Sequence, residues 1–493
     1  MEILRSNRTS KWKKKGSQIP TSTPILPIFI LSIVVSLTFF FSYRHISIGY
    51  RPSHSQCGSL PKTLSDERFL LYAPHSGFSN QLSEFKNAML MASILNRTLI
   101  VPPILDHHAV ALGSCPKFRV LNPNELRLSV WNHSIELLRS RRYISMGDIV
   151  DLRSLVSSSI VKMIDFRRFA STWCGVDLTS FCSEDSTLES KQFDAFRQCR
   201  SLLSGYSGNI ENCLYAVDED CRTTVWIYQK GEEDGSLDSF QPDEQLKKKK
   251  RIPYVRRRQD VYKALGPGSK AEPASVLAFG TLFSSVYKGS ESYIDIHESP
   301  RDEKLQALIE KIKFLPFVPE ITSAGKEFAS TIIGSPFLCA QLRLLDGQFK
   351  NHWKSTFLGL KQKIEVLSHD NTPRPIHIFI MTDLPQANWT GTYLEELARN
   401  SDSFKLHVLK EEDELITKTA KKLADAGHGM KIGFSTPQRL DEMNNCSPAS
   451  LSDILLYIEE TVCSCASLGF TATAGSTIAE SIDLMREHQP CSG

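Results

Sequence analysis

Apolar positions along this chain alternate between short runs and longer stripes. Phe69-Leu70-Leu71-Tyr72-Ala73, bounded by Pro74 and Gly77, predicts a buried strand. From Gln81 onward, Leu82, Phe85, Met89, Ala92 and Leu95 recur at three- and four-residue steps, one face of a helix. Ser79 or Asn80 is expected to cap that helix and leave backbone N–H groups aimed into the space beyond it. Leu99-Ile100-Val101 before Pro102-Pro103 predicts the next strand. Further on, Phe337–Leu342, Ile376–Met381 and Leu406–Leu409 read as short buried strands, and Leu451, Ile454, Leu455, Ile458 and Val462 mark a helical stripe. Strands alternating with helices predict an α/β fold with parallel sheets covered on both faces. A chain of 493 residues can build two such lobes, and no internal repeat is visible.

The ends of the chain change this picture more than its average charge. Net charge is +3, too balanced to suggest nucleic acid as a partner. Residues 1–23 carry Arg5, Arg8, Lys11, Lys13, Lys14 and Lys15 against the single acid Glu2, and residues 24–43 are free of charge until Arg44. That length suits one membrane crossing, and the basic flank is expected to stay cytosolic. The chain therefore reads as a single-pass type II signal-anchored membrane protein, with a stem over 44–65 and the rest in the lumen. All twelve cysteines follow the apolar segment, as an oxidising compartment would favour. Cys174, Cys182, Cys199, Cys213 and Cys221 are expected to staple a loop-rich insertion. No C-x-x-C pair suggests zinc. Sequons at Asn96, Asn132, Asn388 and Asn445 fit secretory passage, although burial of Asn96 would oppose its modification. With no K-D-E-L signal, the Golgi membrane is the expected location.

Between Gln229 and Ser275 an acidic, Gly/Ser-containing stretch precedes Lys247-Lys248-Lys249-Lys250-Arg251 and Arg256-Arg257-Arg258. The pattern predicts a mobile solvated loop, or else a basic rim beside an anionic ligand.

Several polar residues follow predicted strands, where ligands of open α/β sheets sit. Arg343, directly after Phe337–Leu342, is suited to a bidentate phosphate grip or to an ion pair with Asp346. The small residues of Gly469–Gly475 let backbone approach an anion at a helix start, while Thr477 and Glu480 have capping-box spacing. Asp383 and Asp453 read as acids at a strand end and a helix start. His75 lies beside the first strand end, as a catalytic base or as a structural histidine, with Glu84 and Asp346 as alternative bases.

The stretch from Phe78-Ser79-Asn80-Gln81 to Asn96-Arg97-Thr98-Leu99-Ile100-Val101-Pro102-Pro103 resembles the opening motif of the GDP-fucose protein O-fucosyltransferases, G-R-F-G-N-Q through N-R-T-L-x-V-P-P. The resemblance suggests the broad plant-type O-fucosyltransferase-like group, with some motif features nearer the form that modifies EGF-like repeats. Gln341-Leu342-Arg343 resembles the family's H-x-R, and Phe349-Lys350-Asn351 its W-K-N. Ser476-Thr477-Ile478 is similar to S-S-F, Met381-Thr382-Asp383 to A-T-D, and the Asp453–Ile458 segment to V-D-L-Y-I. The departures are Gly77 for Arg, Gln341 for His and Ile478 for Phe.

The resemblance implies two Rossmann-like lobes in a GT-B-type arrangement, an N-terminal lobe over 66–328 and a donor-binding lobe over 329–493. It implies an inverting transfer of fucose from GDP-fucose to a hydroxyl of a protein Ser/Thr or a cell-wall glycan, without a metal or other cofactor. Ser79, Asn80, Gln81, Gln341, Arg343, Asp383, Asp453, Ser476, Thr477 and Ile478 would bind the donor. Arg343 would stabilise the leaving diphosphate, His75 would serve as base, and Asp383 or Asp453 would read guanine. Two alternatives stay open. The three departures would suit a catalytically decayed Golgi scaffold. Asp218-Glu219-Asp220 after Leu214–Val217 would suit a metal-dependent GT-A enzyme, although Cys213 and Cys221 bracket it as in a stapled surface hairpin.

Overall fold

The computed structural model describes residues 67–75, 77–105, 122–176, 254–282, 303–345, 349–369, 372–433 and 454–488, with short pieces between 191 and 227 and Cys491. The expected cytosolic tail, membrane anchor and stem, Lys247–Arg251, Asp346, Asp218–Asp220, Asp453 and Asn445 lie outside the described residues. Among the described residues no helix is long and apolar enough to cross a membrane.

Two parallel sheets organise the chain. The first contains β1 (Phe69–Leu71), β2 (Thr98–Val101), β3 (Met163–Asp165), β4 (Ile210–Glu211), β5 (Leu214–Val217) and β8 (Val276–Phe279). They lie in the order β3-β2-β1-β8-β5-β4. Only β4, at the edge, runs antiparallel to its neighbour. The second contains β9 (Phe337–Leu342), β10 (Ile376–Thr382), β11 (Phe404–His407) and β12 (Gly469–Ala472), all parallel, in the order β11-β10-β9-β12. A separate pair joins β6 (Thr224–Ile227) to β7 (Tyr254–Arg257). The expected α/β class with buried parallel strands is therefore what forms. β1, β2 and β9 are buried along their whole length, as strands covered on both faces must be.

Two expectations need correction. Arg256 and Arg257 belong to β7, and Arg258 opens the helix Arg258–Leu265, so this part of the basic region is ordered backbone and not a loop. Leu214–Val217 is not at the surface either: it is β5, buried in the first sheet between β4, its antiparallel neighbour, and β8, because its four side chains are all apolar and have two faces to cover.

The helices nearest the strand ends are α1 (Phe78–Ile94), α2 (Pro319–Glu327), α3 (Trp353–His369), α4 (Ile454–Ser464) and α5 (Thr477–Glu487). The expected lobe boundary at 328/329 cuts a continuous helical segment, since α2 runs on into a π-helical turn, Phe328–Ile333. α2 packs closely on α4 at Gly325, where an added Cβ would lie 2.5 Å from the Thr461 side chain. One apolar cluster joins Leu70, Phe85 and Phe279 around the first sheet to Phe317, Tyr457, Phe379 and Met485 around the second. Phe78, the first residue of α1, sits 4.6 Å from Tyr457, ring centre to ring centre.

Disulfides link Cys174 to Cys199, Cys339 of β9 to Cys463 of α4, and Cys465 to Cys491. No described cysteine is free. Cys174–Cys199 staples the expected insertion, and Cys463 and Cys465 are each in a disulfide rather than in a metal site. Asn96, Asn132 and Asn388 are all exposed, so burial does not oppose modification of Asn96.

Adjacent acids on α4 give the fold a pH dependence. Glu460 has no exposed surface, and one of its oxygens accepts the Ser481 hydroxyl at 2.8 Å. Burial pushes its carboxyl from the ordinary 4.5 up to about 8, with the Ser481 bond pulling the other way. Burial, and then the neighbouring Glu460 charge, also raises Glu459. A carboxyl raised on folding favours the native state below its unfolded value, and that advantage is lost as pH rises through the folded value. Glu460→Gln should therefore gain thermal stability over the parent progressively between about pH 5 and pH 8. Calorimetry of both proteins across that range checks this, and a constant difference would refute it.

Candidate active site at the strand ends

Each sheet turns back towards its first strand once. From β1 the chain builds outward through β2 and β3, then crosses to the far edge and comes inward through β4 and β5 to set β8 against β1; from β9 it adds β10 and β11, then returns with β12. Crevices at the carboxyl ends of strands open at such reversals, and ligands of open α/β sheets bind there. The predicted site residues that the structure describes fall at these two places.

At the second reversal, β9 ends in Leu342 and passes to Arg343, β10 ends in Thr382 and passes to Asp383, and β12 passes through Thr473 to Ser476. Gln341 stands in register with Met381 on one side and Ala472 on the other. Its carbonyl accepts the Thr473 N–H at 3.0 Å, and Thr473 Oγ1 accepts the Arg343 N–H at 2.9 Å. Gln341, Arg343, Asp383 and the Thr473–Ser476 turn are thereby brought together. The half-exposed Arg343 guanidinium lies over the Phe349 ring, its Cζ 4.9 Å from the centroid. An aromatic face supports the planar cation without consuming its N–H donors.

Two polar atoms here have no hydrogen-bond partner among the described residues: Gln341 Oε1 and Ser476 Oγ. Both residues are buried, 2% and 1% exposed. Buried polar atoms are rarely left unpaired in a finished structure, so this reversal has hydrogen-bonding capacity that the described residues do not use. Ser476, not Thr477, is the N-cap of α5, and no capping box forms, since the cap makes no side-chain bond. Thr477 and Ile478 occupy the partly exposed first turn, where helix N–H groups lack intrahelical acceptors.

Asp383 departs from its expected role. Its Oδ1 accepts the Leu344 N–H at 2.7 Å and its Oδ2 the Leu345 N–H at 3.0 Å. A carboxylate occupied in this way shapes the loop after Arg343 rather than reading a base.

The first reversal is built more for support than for contact. α1 starts at Phe78 with Gly77 as its N-cap, which has no side chain to contribute, so neither Ser79 nor Asn80 caps the helix. Both sit partly exposed in its first turn. An added Cβ at Gly77 would meet nothing within 4 Å, so packing does not demand glycine where the family has arginine. Gln81 is fully buried: its amide donates to the Leu105 carbonyl at 3.2 Å, and its Oε1 accepts the Leu105 N–H at 3.1 Å. That pair of bonds is an internal clamp, not a donor contact.

His75 needs the largest correction. It does not line an open lip but is fully buried, with Nδ1 2.7 Å from Glu84 Oε1. The same oxygen accepts the Thr281 hydroxyl at 2.5 Å. A general base must touch the hydroxyl it deprotonates, and a ring with no exposed surface does not. Glu84, the alternative, is fully buried as well. Burial, and then Glu84, also hold the neighbouring Tyr72 phenol well above its ordinary value.

Sequence reasoning missed the residues that hold Arg343: Thr473, Phe349 as its stacking partner, and Trp353, whose Nε1–H donates to the Leu344 carbonyl. Only the Phe349-Lys350-Asn351 echo pointed towards one of them. A cavity of about 270 Å³ lies elsewhere, at the amino-terminal ends of β2 and β3 beside Asn96 and Lys162.

Fold and site together define a doubly wound parallel α/β protein with an arginine and a helix N-terminus at one reversal. Across 500 aligned residues the chain is 58% identical to O-fucosyltransferase 30 of Arabidopsis thaliana, covering 98% of this chain and 97% of that one. The chain belongs to the O-fucosyltransferase family. No family model matches it. Crystal structures of POFUT1 in complex with GDP and with GDP-fucose are each 11% identical, with TM-scores of 0.36 and 0.35. Each covers 86% of this chain, and 96% and 94% of the respective crystallised chains are covered.

The clamp reading of Gln81 makes a prediction. Gln81→Ala strands two buried backbone groups of Leu105 and should cost about 1–3 kcal/mol of stability, read from the urea midpoint. GDP affinity of the folded protein should stay near that of the parent. Parental stability with lost GDP binding would return Gln81 to the donor site.

Proposed function

We propose that this protein is an inverting glycosyltransferase that moves fucose from GDP-fucose to a hydroxyl of an acceptor, a protein Ser/Thr or a cell-wall glycan. The observation that carries the reading is 58% identity over nearly the full length to a protein named O-fucosyltransferase 30, joined to an arginine at the reversal of the second sheet. A GT-B-type arrangement of the two sheets, with the donor at the second, is part of the same reading.

Charge develops on the β-phosphate as the bond from the anomeric carbon to the diphosphate oxygen breaks. Fixed cations and N–H dipoles aimed there lower the barrier. Arg343 supplies the cation, steadied by Phe349. The first turn of α5, at Thr477 and Ile478, supplies N–H groups and the positive end of the helix. Gln341 Oε1 and Ser476 Oγ, otherwise unpaired, hydrogen-bond the donor. The acceptor oxygen attacks from the face opposite GDP, and the diphosphate leaves with the bonding pair. With His75 and Glu84 buried, the acceptor proton is lost late, to water on the attacking face, in a dissociative step. Arg343 and the helix end take the part a divalent ion would otherwise play, so no metal takes part.

The uncharged 24–43 segment behind a basic tail supports a type II anchor, and the disulfides support a lumenal, oxidising setting, with the Golgi membrane as the location. A decayed Golgi scaffold is the second reading, favoured by Gly77, Gln341 and Ile478. GDP binding without transfer to any acceptor would support it.

Arg343→Ala should abolish transfer from labelled GDP-fucose and weaken GDP binding at least about 100-fold without lowering the melting temperature, on the scale of a lost buried charge-assisted contact. EDTA should leave parental turnover unchanged. Parental turnover by Arg343→Ala would remove the mechanism, and loss of activity in EDTA restored by a divalent ion would favour the GT-A alternative.

A further inference from the structure

Beyond the end of β9, three successive peptide N–H groups have left the sheet ladder, and side chains take all three. Thr473 Oγ1, from the exit of β12, accepts the Arg343 N–H at 2.9 Å. Asp383, from the exit of β10, accepts the Leu344 N–H at 2.7 Å and the Leu345 N–H at 3.0 Å. The Leu344 carbonyl is held from the opposite side by the indole N–H of Trp353, the first residue of α3. Leu345 is 47% exposed, so packing of its side chain does not fix this peptide. The carboxylate does.

We infer that Asp383 is a positioning residue for Arg343: by gripping the two N–H groups that follow it, Asp383 fixes the backbone from which the guanidinium is presented. Successive N–H groups form a small anion-binding concavity, and here the protein's own carboxylate fills it. The diphosphate therefore sits against the guanidinium and the α5 end, not against the loop that follows Arg343. With Thr473 holding the Arg343 N–H on one side and Asp383 the next two peptides on the other, the backbone at Arg343 is fixed from both sides, and its guanidinium lies over Phe349. This role rests on the reading of Arg343 as the diphosphate grip, and the two can fail separately.

The test is a double-mutant cycle in GDP affinity, measured by calorimetry on the purified full chain. Arg343→Lys keeps a cation and a measurable affinity. Asp383→Ala should weaken GDP about ten-fold in the parent, roughly the worth of one charge-assisted hydrogen bond. In the Arg343→Lys background it should weaken GDP less than about two-fold, because what it positions is already gone. Asp383→Asn, which keeps one acceptor oxygen, should fall between parent and Asp383→Ala. Trp353→Phe, which keeps the ring and loses the N–H, should weaken GDP several-fold by the same route. If Asp383→Ala fails to fold, these two milder variants carry the cycle. Losses that multiply across the cycle would make Asp383 a direct ligand contact and overturn the inference, as would parental affinity in Asp383→Ala. If instead the parent and Arg343→Lys bind GDP equally, the reading of Arg343 fails first and takes the positioning role with it.

Discussion

A strand in a parallel sheet loses its ladder partners the moment it ends, and the N–H groups just beyond it must find other acceptors or remain exposed to water. At the reversal of the second sheet this constraint governs what surrounds Arg343. Its three acceptors come from the exits of the two strands that flank β9, Thr473 after β12 and Asp383 after β10. The cation is therefore carried on a peptide whose position the sheet itself dictates. Gln341 Oε1 and Ser476 Oγ, at the same reversal, are buried and unpaired among the described residues. On the proposed reading, such polar atoms and a supported cation make a site organised before its ligand arrives.

The first sheet meets the related problem with buried groups. Glu84 on α1 bonds to His75 after β1 and to Thr281 after β8, so one carboxylate joins the two strand exits at that reversal to the helix between them. At the opposite end of the same unit, the buried Arg97 guanidinium donates to the carbonyls of Phe69, Ala271 and Ala274. α1 is thus fixed near both ends before Phe78 packs on Tyr457 and ties it to the helices of the second sheet. The opening motif resembles a donor-binding turn, yet most of its polar side chains serve this frame. Ser79 and Asn80 are left partly exposed, and Asn96 is exposed.

Much of the fold was legible because its signals are local. β1, β2, β9 and β10 stand where the apolar runs lie, and the α1 face follows the three- and four-residue spacing. Boundaries moved by a few residues: α1 begins at Phe78 rather than near Gln81, and Tyr72 and Ala73 leave the strand once β1 ends at Leu71. The middle of the chain was read less well. Arg256-Arg257-Arg258 looks like a solvated run by composition, but pairing of β7 with β6 overrides charge density. The expected lobe boundary falls inside the segment from Pro319 to Ile333, which is helical without a break, and its packing partner, α4, lies more than a hundred residues further on.

By itself the sequence determined the class of fold, the family, and which strand ends carry polar residues, since each follows from neighbours along the chain. The tertiary structure decided which of those polar residues are consumed internally. Asp383 meets Leu344 across 39 residues, Thr473 meets Arg343 across 130, and Thr281 meets Glu84 across 197. A hydrogen bond forms with whatever donor or acceptor the packing brings within about 3 Å, and no local pattern encodes partners at such separations. That is why Gln81 and His75 read as contacts in the sequence and prove to be internal supports. The same packing leaves Arg343 resting on Phe349, part of it open to the crevice.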